Sequence, residues 1–215
     1  SEVRALVRLP DGRIAAGGAF ANSGTTPVLR AGVWDGASWS QLGAGFNDTV
    51  NALALTPMGE LLAGGRFTLS GTTATPRMAR LISGAWQPIT TTVDAPGQPN
   101  VEALSVAPDG TIYAAGFFSH IDGTFVSNVA RHDGVAWRAL THEGAPVGGL
   151  GAAASDVTVL RDGRVLIGGA FQTANGDLFP SGAFNIFYAA TWDGVRFAPV
   201  GLGSNTSLTD LAPLP

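Results

Sequence analysis

Arg13-Ile14-Ala15-Ala16-Gly17-Gly18-Ala19-Phe20 decides how this sequence folds, because it returns three times. The copies are Glu60-Leu61-Leu62-Ala63-Gly64-Gly65-Arg66-Phe67, Thr111-Ile112-Tyr113-Ala114-Ala115-Gly116-Phe117-Phe118 and Arg164-Val165-Leu166-Ile167-Gly168-Gly169-Ala170-Phe171. Each is a short apolar run, a small-Gly pair and a Phe two residues later. Self-similarity at a fixed period is the signature of a repeat architecture and takes precedence over isolated local signals.

Working outward from the first copy, Val3 to Leu9 reads as a strand by its partial alternation and β-branched content, and Pro10 ends it. Asp11-Gly12 predicts a two-residue type I′ hairpin, whose central residues both need positive φ. The eight-residue stretch then supplies strand two. Ala21 to Val28 reads as a loop, rich in Asn, Ser, Gly, Thr and Pro. Leu29 to Trp34 is strand three, Asp35-Gly36 a tight turn, and Ser38 to Leu42 strand four, carrying Trp39. Trp86, Trp137 and Phe197 stand where Trp39 does. Each unit is four short antiparallel strands in roughly 50 residues, the size of a propeller blade. The predicted fold is therefore all-β: a β-propeller of four-stranded blades at about 1–48, 49–99, 100–155 and 156–205. Residues 206–215 form a fifth first strand, because Leu208 to Pro215 aligns with Val3 to Pro10. Both ends then offer the same strand, which predicts part of a larger propeller. The further blades are expected from the same polypeptide, or from self-association through the C-terminal strand. Four-stranded sheets with two apolar faces are stable only when stacked. Phe20, Phe67, Phe118, Phe171, Trp39, Trp86 and Trp137 are therefore expected between blades, with Leu6, Leu53, Leu104 and Val157.

An apolar run, a Gly pair, a following aromatic and a Trp in the next hairpin resemble the kelch-type β-propeller repeat. The shorter Trp-Asp-Gly-x-x-Trp hairpin is similar to repeats of large secreted bacterial propellers. The resemblance covers the whole chain. It implies an innermost first strand and an outermost Trp strand. Ala115 replaces the first Gly of the pair, and Leu81 and His132 replace the strand-three aromatic. A kelch-like copper oxidase of the galactose oxidase kind would need a Cys-linked Tyr, and the chain has no Cys.

Composition narrows the function. Apolar content is 45%, charged content 13%, and there are 30 Gly and 13 Pro, as many short strands and tight turns require. The net charge of -4 gives no electrostatic case for nucleic acid. The absence of Cys excludes disulfides, thiolate metal sites and a Cys nucleophile. All 12 basic residues are Arg, which reads as coding bias. No apolar run is long enough for a transmembrane helix, so no membrane insertion is expected. The sequence starts at Ser1 without Met, which predicts a processed or excised chain.

Spacing locates the candidate binding face. From the turn Gly to the Gly-pair position the interval is constant (12 to 17, 59 to 64, 110 to 115, 163 to 168). From the strand-three position to the Trp position it is constant too (34 to 39, 81 to 86, 132 to 137, 192 to 197). Length varies only from strand two to three and from strand four to the next strand one. Antiparallel order places those connections on one side of each blade, and variable loops on a rigid scaffold carry function. The candidate binding residues are Asn22, Thr72, His120, Asp122, His142, Asn175 and Asp177. Solvated loops that drift in length are the bland reading. The clusters His120-Ile121-Asp122, His132-Asp133 and His142-Glu143 match no metal-ligand spacing, so no metal or other cofactor is expected. The Asp-Gly acids have a sufficient turn role. Asp156 and Asp210 replace the Ala of the innermost strand and read as solvated carboxylates. These readings predict a non-enzymatic binding or structural module in an extracellular or cell-envelope protein, with a protein or glycan partner. The alternative is a propeller hydrolase or lyase acting on a polysaccharide.

Overall fold

A computed structural model of the chain describes residues 2–141, 148–174 and 188–200. All regular structure among them is β: four four-stranded antiparallel meanders of blade type, with two two-stranded sheets and one three-stranded sheet in the connections. The first holds β1 (Val3–Arg8), β2 (Ile14–Gly18), β3 (Ala31–Trp34) and β4 (Trp39–Gln41). The second holds β5 (Val50–Leu55), β6 (Leu61–Gly65), β7 (Met78–Ile82) and β8 (Ala85–Pro88). The third holds β9 (Asn100–Val106), β10 (Ile112–Phe117), β11 (Val129–His132) and β12 (Trp137–Ala139). The fourth holds β13 (Ala154–Val159), β14 (Val165–Gly169), β15 (Ala189–Trp192) and β16 (Phe197–Pro199). The expected fifth strand lies outside the described residues.

The repeated Gly pair has a backbone cause. Each first strand carries a one-residue bulge, between Val3 and Ala5, Val50 and Ala52, Val101 and Ala103, and Ala154 and Asp156. The bulge bends the strand and drives its start onto strand two. A Cβ on Gly65 would sit 2.2 Å from the Thr49 carbonyl oxygen, so only Gly fits. A second repeated device has no sequence signal. Arg30, Arg77, Asn128 and Tyr188 all adopt left-handed backbone, with φ between 66° and 70°. Each precedes strand three. Its N–H donates to the carbonyl of Phe20, Phe67, Phe118 or Phe171, and its carbonyl accepts from Gly18, Gly65, Gly116 or Gly169. Both backbone groups are satisfied, which offsets the cost of the unusual φ.

The turns between strands one and two differ from expectation. Leu9 N–H donates to Arg13 O at 2.8 Å and Gly12 N–H to Leu9 O at 2.9 Å, so the loop has three residues. Only Gly12 has positive φ, 89°. Pro10 fixes the first turn position at negative φ, which selects a type I turn closed by a left-handed Gly. The same pair of bonds recurs at Thr56–Glu60, Ala107–Thr111 and Leu160–Arg164. A true type I′ turn occurs at Ser83-Gly84, with φ of 50° and 79°.

The chain divides into two compact units, Ser1–Thr91 and Thr92–Pro215. In the first, Ala15, Ala31, Leu42 and Phe46 of the first sheet and its exit segment pack on Val50, Ala63, Phe67 and Trp86. Phe46 stacks on Phe67 with centroids 4.0 Å apart, and Trp86 Nε1 donates to Leu42 O at 3.0 Å. In the second unit, Tyr113, Val129, Leu140 and Leu150 pack against Ile167, Phe171, Trp192 and Phe197. Here the strand-three indole reaches back: Trp192 Nε1 donates to Thr141 O at 2.9 Å, with the Arg131 guanidinium 5.5 Å from its ring.

Two expected core residues are not in the core. Trp39 is only half-buried, in a small cluster with Ala16, Phe20 and Val28, and Leu6 is 65% exposed. The reason is positional: they lie on the face of the first sheet that no other sheet of its own unit covers.

Candidate functional site

The connections expected as loops between strands two and three are miniature hairpins. Asn22–Ser23 pairs with Thr26–Pro27, Leu69–Ser70 with Thr73–Ala74, and His120–Ile121 with Thr124–Phe125. In the first two, Gly24 and Gly71 take φ near 58°, as a two-residue turn with Gly first requires. In the third, Asp122 and Gly123 take 49° and 77°, a type I′ turn.

Each described hairpin of the second and third blades is stapled to a connection from strand four to strand one. Asn47 Oδ1 accepts from the N–H groups of Thr68 and Leu69, at 2.9 and 3.0 Å. Val93–Asp94 adds a third strand to His120–Ile121. Ser119 N–H donates to Asp94 O at 2.7 Å. In the fourth blade, Gly151 N–H donates to Thr173 O at 2.9 Å, beside a Leu150–Ala174 bridge. The two variable connections thus meet, and backbone bonds between them fix the hairpins.

The His120 hairpin concentrates the chemistry. Its imidazole is half-buried, 3.0 Å from Ser119 Oγ, and meets the Phe125 ring edge-on with centroids 5.3 Å apart. Phe125 is 44% exposed and, in the second blade, Leu69 is 40% exposed. Asp122 lies at the turn, where Oδ1 accepts the Thr92 N–H at 2.9 Å. This carboxylate is a structural acceptor that ties hairpin to connection. Asn22 and Thr72 are exposed, each on its own hairpin. His142, Asn175 and Asp177 lie outside the described residues, as does Asp210. Asp156 is half-buried on β13, its Oδ1 accepting the Val157 N–H at 2.7 Å. Among the described residues no three His, Asp or Glu side chains converge to hold a metal. Leu69, Phe125 and the Asn47 staple escape the sequence reading. The signal available was Ser-Gly-Thr-Thr, a hairpin turn repeated in two blades (Ser23 to Thr26, Ser70 to Thr73).

The opposite ends of the sheets carry the turn acids, and these are occupied. Asp133 Oδ2 binds Arg138 Nε at 2.6 Å, and Oδ1 accepts from Val135 and Ala136 N–H. The Arg138 hydrogen bond, then those backbone donors, hold its carboxyl well below the usual carboxylate range. Asp11 and Asp162 are held low by Arg13 and Arg164, and Asp35 and Asp193 chiefly by turn N–H groups. Carboxylates so engaged are poor proton acceptors for catalysis. His132, which replaces the strand-three aromatic, is half-buried against Trp137 with ring centroids 5.1 Å apart.

Comparison with known proteins agrees with this architecture. A family model described as a β-propeller domain of unknown function, DUF5122, matches residues 107–131, from the turn before β10 into β11. No curated protein matches the chain in sequence. The WD40 β-propeller domain of Doa1 is similar in structure, with TM-score 0.57 and 18% identity over 99% of this chain and 59% of that one. The extracellular domain of BT4673 from B. thetaiotaomicron is similar with TM-score 0.54 and 12% identity, over 96% of this chain and 22% of that one. The chain therefore spans less than two thirds of either neighbour. Identities this low carry the fold alone, and the fold they carry is that of a β-propeller.

Proposed function

We propose that this chain is a kelch-like propeller segment that acts as a non-enzymatic binding or structural module of an extracellular or cell-envelope protein. Its binding face is the hairpin side, and its partner is a protein or a glycan. The observation that carries this reading is the stapled His120 hairpin. It presents an exposed aromatic edge and an imidazole on a backbone-fixed platform, while the turn acids at the other end are committed to structure. Rigid aromatic display suits contact with a protein side chain or a sugar face. The kelch assignment rests on the order of apolar run, Gly pair and Trp hairpin. A hydrolase or lyase would need carboxylates free to reach one substrate, and the engaged turn acids do not supply them.

The test is binding of the full chain to a printed array of polysaccharides and to immobilised cell-envelope extract treated or untreated with protease. Phe125→Ser and Leu69→Ser are expected to reduce the bound signal about tenfold or more without altering the melting temperature. Release of reducing ends from any arrayed polysaccharide would overturn the non-enzymatic reading. Binding that neither variant alters would place the partner on another surface.

A further inference from the structure

The arginines divide by what holds them. Arg4, Arg13, Arg138, Arg164 and Arg196 each close an ion pair with an acid. Among the described residues Arg30, Arg66 and Arg77 close none. Backbone bonds bring these three together in the first unit, around the connection from β4 to β5. On one side, Phe46 N–H donates to Leu29 O at 2.9 Å, which sets Arg30 beside that connection. On the other, Asn47 N–H donates to Leu69 O at 3.1 Å and Arg66 N–H to Thr49 O at 2.9 Å. The Arg77 guanidinium in turn donates to the Arg66 carbonyl. One acid, the exposed Asp48, lies among them, and its Oδ1 accepts the Thr49 N–H at 2.6 Å. That bond first, with the Thr49 hydroxyl, Arg66 and Arg30 adding to it, holds the carboxyl low. Burial pushes the Arg77 guanidinium down; Asp48 opposes this and Arg66 reinforces it. Three guanidiniums against one carboxylate leave a local excess of positive charge on a chain whose net charge is -4. The fold does not require it. The position of Arg66 holds Ala19, Phe117 and Ala170 in the other blades, and that of Arg30 and Arg77 holds Asn128 and Tyr188.

We propose that this end of the first unit binds the acid groups of an anionic polysaccharide through Arg30, Arg66 and Arg77. A guanidinium presents a planar fork that meets a carboxylate or sulfate in two parallel bonds. Arg30 and Arg77 hold equivalent positions in consecutive blades, so their charges repeat with the blade. A stiff polymer with acid groups at regular intervals meets both, and loses less freedom on binding than a flexible acidic peptide. Leu29 and Leu69, 38% and 40% exposed, flank the same connection and offer apolar seats to the C–H faces of sugar rings. The negative net charge of the whole chain opposes a nucleic acid. The site takes the glycan branch of the reading above and does not use the His120 hairpin.

The experiment measures binding of the full 215-residue chain to immobilised polygalacturonate, dextran sulfate, neutral dextran and polyglutamate, each at low and high salt. Retention is expected on one or both acidic polysaccharides, weaker in high salt, and not on neutral dextran. Arg30→Gln and Arg66→Gln should each weaken it about tenfold, as loss of a hydrogen bond between charged groups does. Arg8→Gln makes the same charge change at the tight-turn end of β1 and should leave it unaltered. Asp48→Asn keeps an acceptor for the Thr49 N–H and removes the competing charge, so binding should tighten about threefold. Damage to the fold would not produce that gain. No retention on either acidic polysaccharide overturns the proposal. An equal loss with Arg8→Gln does so too, because net charge alone then governs binding. Retention on polyglutamate as strong as on the polysaccharides makes the partner an acidic protein and overturns it as well. Loss with Phe125→Ser but with neither Arg30→Gln nor Arg66→Gln overturns it and leaves the hairpin reading standing.

Discussion

Trp86 and Trp39 hold the same position in consecutive blades and live in different surroundings. Trp86 is 2% exposed, in contact with Phe46 at 4.8 Å and bonded to the Leu42 carbonyl. Trp39 is half-buried beside a cavity, with Trp34 as its aromatic neighbour at 5.7 Å. The residue is the same and the strand is the same. What differs is the sheet on the other side. In a stacked-sheet protein, burial belongs to the junction between repeats rather than to the repeat itself. The largest expected effect follows directly. Trp86→Ala should cost about 3–5 kcal/mol in denaturant unfolding, as loss of a buried aromatic does. Trp39→Ala should cost about 1 kcal/mol, nearer the average for partly buried positions. Equal costs in the dilute chain would mean that the first sheet is already covered.

The glycines sharpen the same contrast on the backbone. Gly65 and Gly18 are equivalent, and a Cβ on either would strike a carbonyl oxygen, that of Thr49 at 2.2 Å or of Glu2 at 2.0 Å. Each carbonyl accepts an N–H, from Arg66 or from Ala19, but Thr49 is half-buried and leads into the buried Val50, whereas Glu2 begins the described chain and is exposed. Gly65→Ala should therefore cost about 1–3 kcal/mol, as forced overpacking does. Gly18→Ala should cost less, because its obstacle moves aside. Thermal melts of the two variants in parallel decide it. A larger loss for Gly18→Ala would show that the N-terminal strand is more firmly held than the exposure of Val3 and Leu6 implies.

Much of this architecture was legible in the residues. Four in-phase copies of an apolar run, a Gly pair and a Phe specify strand two of four sheets. Constant spacing around the tight turns fixes the meander, because a turn of fixed length fixes register. The left-handed residues before strand three were not legible. Arg30, Arg77, Asn128 and Tyr188 have no one side-chain chemistry in common, and their conformation is held by two backbone bonds to the end of strand two and the Phe beyond it. The turn at Asp11-Gly12 was misread because the dipeptide was weighed without the Pro before it. At the candidate site, His120 and Asp122 were visible as polar residues in a variable connection. Phe125 was not, because its exposure depends on a hairpin two residues deep that no periodicity reveals at that length. The open face of the first sheet was invisible for the opposite reason. Its sequence is that of a buried face.

The smallest expected effect concerns the constant side of the blades, where the turn acids sit. Asp133 is held well below the usual carboxylate range by Arg138 and two backbone donors, and the pair is exposed. A carboxylate whose folded pKa is depressed stabilises the fold above the unfolded value, about 3.9 for Asp, and loses that contribution as pH falls through the folded value. Asp133→Asn keeps an oxygen for the Val135 and Ala136 N–H groups but removes the charge that Arg138 meets. At neutral pH the variant should melt slightly below the parent. The gap should begin to narrow as pH falls below about 4, where the unfolded carboxylate takes up its proton, and should close only as pH approaches the depressed value of the folded state. Added salt should narrow the gap at neutral pH, since exposed pairs are screened and contribute little. Melting curves at neutral and acidic pH, each at low and high salt, separate charge from shape. A gap that stays constant through the acid range would mean that Asp133 serves the turn by hydrogen-bond geometry alone.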